Sequence, residues 1–220
     1  MKNKSFGVLA ATVLMALAGS ARADFVHSSQ GVDFTYHGVD ANTFTLRIEH
    51  ALDATGNWAP ATHLGYLGFK NLGNLASLTG VSVNVTPAPG SSVNWLYTSG
   101  ELTGNGCNGN ANSGGICLEA TPDLPLTNDL LFTIDLLGNG IDISAATAPL
   151  LKASFTAWQE ASGRVGTNGY KPADFRSTGD LLAQTLAPGA AAATVPEPAS
   201  LALAGLALAG LMAVRRRTRG

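Results

Sequence analysis

Thr43-Phe44-Thr45-Leu46-Arg47-Ile48-Glu49 alternates apolar and polar residues along its whole length. A strand turns successive side chains to opposite faces, so Phe44, Leu46 and Ile48 share one side and Thr45 and Arg47 the other. This is the pattern of a half-buried β-strand. Val32-Asp33-Phe34-Thr35-Tyr36 precedes it with the same period, and the turn-rich residues 38–42 join the two as a hairpin. Val81-Ser82-Val83-Asn84-Val85 alternates as well. Residues 64–69, 93–97, 131–136 and 150–157 are further strand candidates, and Asn168-Gly169 between Val165 and Tyr170 is a short hairpin signal. Residues 178–186 suggest one short helical turn, and there is no internal repeat. Roughly eight short strands separated by Gly, Asn and Pro predict an all-β chain, a single β-sandwich or jelly-roll-like domain.

The two ends read differently. Residues 1–23 have the form of a signal peptide: Lys2 and Lys4, an apolar run over 6–18, then Ala21-Arg22-Ala23, with Ala21 and Ala23 as the small residues of the cleavage site. Residues 1–23 hold no twin-arginine pair, so the general secretory machinery is the expected export partner. The domain is expected over 24–186, followed by an Ala/Pro/Gly linker over 187–194. Residues 195–220 open with Val195-Pro196-Glu197-Pro198, continue through the uncharged run 199–214 and close in Arg215-Arg216-Arg217-Thr218-Arg219. As a helix that run is about 24 Å long, against a hydrocarbon core of roughly 30 Å. The snorkelling stem of Arg215 helps to close the gap. The arginines hold the C-terminus in the cytoplasm, so the run predicts a C-terminal transmembrane helix with the bulk of the protein outside.

That order of Pro196, Glu197 and Pro198, apolar run and Arg215, Arg216 and Arg217 resembles the PEP-CTERM sorting signal of bacteria that make extracellular polysaccharide. The resemblance implies recognition and cleavage by an exosortase, a membrane transpeptidase, with the helix as a transient anchor. The body is similar to β-rich PEP-CTERM proteins of unassigned function, through Phe44-Thr45-Leu46-Arg47-Ile48, Gly56-Asn57-Trp58-Ala59, the loop from Gly106 to Cys117, and Gly179-Asp180-Leu181-Leu182. It implies no catalytic residue.

Six Lys and Arg against fourteen Asp and Glu leave residues 24–194 with a net charge of −8. Nucleic acid is therefore not an expected partner. Neither a nucleophile elbow, a zinc-protease helix motif, a phosphate-binding loop nor a calcium loop occurs, and no cofactor or catalytic residue is assigned. His27, His37, His50 and His63 lack metal-ligand spacing; Asp135 and Asp142 flank a Gly-Asn turn that reads as a solvated turn or, less simply, a calcium turn. Cys107 and Cys117, the two cysteines of the chain, enclose a Gly/Asn-rich loop. In an oxidising compartment they predict a disulfide, since a zinc site lacks two further ligands and a catalytic thiol lacks a nearby His. Trp58 in a loop-like context, and Trp95 on one strand face with Tyr97, are core residues or sugar-stacking platforms.

The expected function is that of an exported, non-catalytic cell-envelope or matrix protein, structural or adhesive among extracellular polysaccharide. A polysaccharide-binding module using Trp58 or Trp95 and a secreted hydrolase are the alternatives.

Overall fold

The alternation along residues 43–49 is realised as a strand whose Phe44, Leu46 and Ile48 are fully buried. The computed structural model describes residues 24–90, 92–109, 114–144, 146, 148–179 and 182–189. The expected signal peptide and the expected apolar helix over 199–214 lie outside the described residues, as does the sorting motif. Among the described residues no helix is long and apolar enough to cross a membrane.

Fourteen strands form among them: β1 (Phe25–Ser29), β2 (Val32–Gly38), β3 (Thr43–Glu49), β4 (His63–Lys70), β5 (Leu78–Thr86), β6 (Asn94–Ser99), β7 (Glu101–Thr103), β8 (Gly106–Asn108), β9 (Ile116–Pro125), β10 (Asp129–Gly138), β11 (Leu150–Gln159), β12 (Asp174–Ser177), β13 (Leu182–Thr185) and β14 (Ala187–Pro188). The first sheet runs β14-β1-β2-β3-β10-β5; the second runs β12-β11-β4-β9-β6, with β13 also on β11. Every pairing is antiparallel.

The inward residues of the two sheets meet in one core. Phe44 stands edge-on to Phe69 with ring centres 4.9 Å apart, Phe34 meets Phe155 at 6.3 Å, and Trp95 meets Phe132 at 5.8 Å. Each contact joins the first sheet to the second, which makes the fold a β-sandwich. The β2–β3 hairpin forms as expected: Asp40 Oδ1 accepts from the backbone N–H of Asn42 at 2.9 Å and of Thr43 at 2.7 Å, closing the turn.

Three expectations are corrected. The described residues of 178–186 hold no helical turn; Leu182–Thr185 is β13, because β11 leaves a free edge there and Leu182 reaches the core from it. Asn168-Gly169 does form the centre of a turn, with the Tyr170 N–H donating to the Thr167 carbonyl at 3.0 Å, but the pairing around it is a single bridge, Ser162↔Lys171, and not a tight hairpin. Ala187 and Pro188, expected to begin the linker, pair with Val26 and Phe25, and the Gly189 N–H donates to the Asp24 carbonyl at 2.7 Å. Proline fits there because an edge strand does not need its missing N–H.

The β7–β8 hairpin stands apart from both sheets. It folds back over the outer face of the second sheet and creates the site described next.

Candidate functional site

The pairing of Cys107 with Cys117 ties β8 to β9, a strand of the second sheet. Leu102 on β7 is 1% exposed although it lies outside the sandwich core. It sits on Gly68 of β4, where an added Cβ would come within 2.8 Å of the Leu102 Cβ. Only a glycine lets the hairpin approach this closely. Glu101 accepts from Lys70 Nζ at 2.8 Å and from Lys152 Nζ, which also donates to the Leu102 carbonyl at 3.0 Å. The hydrogen bonds from Lys152 and Lys70 hold the Glu101 carboxyl down at about 2. A disulfide, a buried leucine and a two-lysine clamp thus fasten the hairpin to the sheet.

Its tip, residues 103–106, forms one wall of a cleft of about 770 Å³. The opposite wall is β12, with Asp174, Phe175 and Ser177; the floor is the outer face of β4, β9 and β11. Tyr66 stands on that floor and donates to Glu119 Oε1 at 3.3 Å. Burial pushes the Tyr66 phenol up, and Glu119, Asp123 and Asp174 push it in the same direction, so all three carboxylates act on one group. Thr156 donates to Asp123, and the Ser154 hydroxyl lies 3.4 Å from that of Ser177. No ion pair engages Glu119, Asp123 or Asp174 among the described residues.

An aromatic ledge borders the cleft at β12. Phe175 packs between His63, with ring centres 4.3 Å apart, and Trp158, at 5.2 Å. Burial lowers the pKa of His63, opposed in part by Asp123. Trp158 is 52% exposed, its indole N–H held by Glu160 at 2.9 Å.

This places the ledge on a residue that the sequence reading did not select. Trp58 is 1% exposed: a 3-10 turn over Gly56–Trp58 rolls its ring inward onto Phe155 at 4.8 Å and Phe34 at 6.2 Å. It is a core residue and offers no face to a sugar. Trp95 is half-buried and lies on the inner face of β6 against Phe132, so its ring too belongs to the sandwich interior. Asp135 accepts from the Thr43 hydroxyl at 2.9 Å, and Asp142 from the Ser144 N–H at 2.8 Å. Among the described residues no group of three or more His, Cys, Asp and Glu is arranged to hold a metal ion. The cleft itself left one weak trace in sequence: Glu119 and Asp123, four apart and hence on one face of a strand.

Comparison with known proteins bears on the other end of the chain. Residues 194–217 match the family model of the PEP-CTERM protein-sorting motif. The chain carries a PEP-CTERM signal. The PEP-CTERM motif implies an exported protein that is anchored in the membrane and processed by an exosortase. No curated protein matches the chain. A solved structure described as "pH-induced modulation of Streptococcus parasanguinis adhesion by Fap1 fimbriae" is 13% identical over 80% of this chain and 92% of that one, with a TM-score of 0.34.

Proposed function

We propose that the sandwich is a non-catalytic module of the cell surface or polysaccharide matrix, and that it holds polysaccharide in the cleft under the β7–β8 hairpin. The signal at residues 1–23 and the PEP-CTERM tail deliver it, with the residues after Gly189 as the tether. The observation that carries this reading is the cleft's lining. Hydroxyls from Tyr66, Ser154, Thr156 and Ser177 and the carboxylates of Glu119, Asp123 and Asp174 converge on one concavity beside an exposed indole. Sugar hydroxyls need dense acceptors and donors, and the apolar face of a sugar ring needs a flat aromatic partner. A cleft of this size falls in the usual range for ligand sites.

The test is retention of the full chain on the producing cell's own extracellular polysaccharide and on neutral glucans. Trp158→Ala and Asp123→Asn should each lower retention about tenfold, a loss of roughly 1.4 kcal/mol. Absence of retention, or retention unaffected by either change, refutes the reading.

One observation favours a second reading, polysaccharide hydrolysis: three carboxylates share the cleft, and glycoside hydrolysis uses two, one as acid and one as base or nucleophile. It requires that the retained polysaccharide be shortened and that Glu119→Gln or Asp123→Asn abolish the shortening.

A further inference from the structure

Between Lys70 and Glu101 lie thirty residues, 71–100, without one Asp, Glu, Lys, Arg or His. The remainder of residues 24–194 carries all twenty of the segment's formal charges, with a balance of −8. The uncharged stretch folds into β5 and β6, which touch each other and end the first and second sheets on the same side of the sandwich.

This side is also where the core is least closed. Among the described residues, eight apolar residues pack on the core while remaining partly exposed, and seven of them lie in this stretch. Val81 and Val83 on β5 and Trp95 and Tyr97 on β6 are among them.

The opposite side is built otherwise. There the first sheet ends in the two-residue β14 with Pro188, and the second in the four-residue β12 and β13, with Asp174 and Arg176 on β12. Short strands, proline and charge are the devices that prevent an edge from pairing with another chain. β5 has none of them over its nine residues, Leu78–Thr86.

We infer that β5 is a homotypic interface, to which a second copy of this chain adds its own β5 antiparallel across a twofold axis. The occupant follows from charge and symmetry. Two copies of the domain, each at −8 over residues 24–194, repel wherever their charged surfaces meet, and residues 71–100 are the long stretch along which they approach without that cost. An antiparallel pair of identical strands is self-complementary, as a twofold interface requires. Centred on Ser82, it sets Val81 opposite the partner's Val83, so the half-buried side chains at the opening gain cover. The two six-stranded sheets become one of twelve.

Sedimentation of the full chain in detergent tests this. The unmodified chain should run as a dimer. Ser82→Lys, at an exposed position, places like charges directly opposite and should shift it to monomer with an unchanged strand content by circular dichroism. Ser82→Cys should form a dimer-sized band on a non-reducing gel, whereas Thr133→Cys, at the middle of β10 and flanked by β3 and β5 within the sheet, should not. An unmodified chain that sediments as a monomer overturns the inference. So does a dimer that survives Ser82→Lys, as one held by the tail would, or a Ser82→Cys cross-link to a polypeptide of another size.

Discussion

Replacing both Cys107 and Cys117 with serine should leave export and strand content intact while lowering stability by a calculable amount. The bridge closes a sequence separation of ten residues. In the loop-closure account, a cross-link of about that length removes roughly 3 kcal/mol of unfolded-state entropy. Gly109, Gly114 and Gly115 lie in the loop, and glycine-rich chain has the most freedom to regain. The folded state keeps much of its local order without the bond, because Leu102 remains seated on Gly68 and Glu101 remains between Lys70 and Lys152. For a chain of this size each kcal/mol moves the midpoint by about 2–4 °C, so the double variant should melt about 6–12 °C lower. Thermal unfolding followed by circular dichroism reads the shift. Thiol labelling of the native protein under denaturing, non-reducing conditions reads the bond directly. A midpoint within a degree or two of the parent, or two reactive thiols per parent chain, refutes the reasoning.

Three further outcomes are expected. The Glu101 carboxyl ordinarily titrates at 4.5 and is held at about 2 in the folded chain, so its clamp contributes stability fully above about 4.5 and loses it as the pH falls through 2; Glu101→Gln should melt lower than the parent at neutral pH, with the gap closing in acid. Trp58→Ala removes a ring packed on Phe34 and Phe155 and should cost about 3–5 kcal/mol in urea unfolding, whereas Trp158→Ala, at an exposed site, should cost under about 1 kcal/mol; equal costs would contradict the placement of the two rings. Intact-mass measurement of protein from the native host should show chains without residues 215–220, and a uniform mass that includes them would refute processing at the PEP-CTERM motif.

Where one sheet face is dry and the other wet, the sequence announces the strand. β2 and β3 alternate because their inner residues enter the core and their outer residues meet solvent. β9 breaks that rule. Ile116, Cys117 and Leu118 are all buried, since the β7–β8 hairpin covers the outer face there, and the run has no period to read. The sequence leaves Trp58 open between core and sugar platform for a related reason: its neighbours Gly56, Asn57 and Pro60 are loop residues, and a loop's composition does not reveal that a 3-10 turn points one ring inward. The aromatic ledge was hidden because Trp158, Phe175 and His63 are far apart in the chain and come together only through the pairing of β11 with β4 and β12.

The sequence by itself determined the all-β class, the C-terminal sorting motif, the acidity of residues 24–194 and the pairing of the two cysteines. Each of these rests on local period, local composition or compartment chemistry. The tertiary structure alone decided that Trp58 is core and Trp158 surface, that a clamped hairpin roofs the second sheet, and that Tyr66, Glu119, Asp123, Ser154 and Asp174 share one cleft. Those facts depend on which strands lie side by side, and strand neighbours are set by long-range pairing and by the joint burial of two sheets, neither of which leaves a period in the chain.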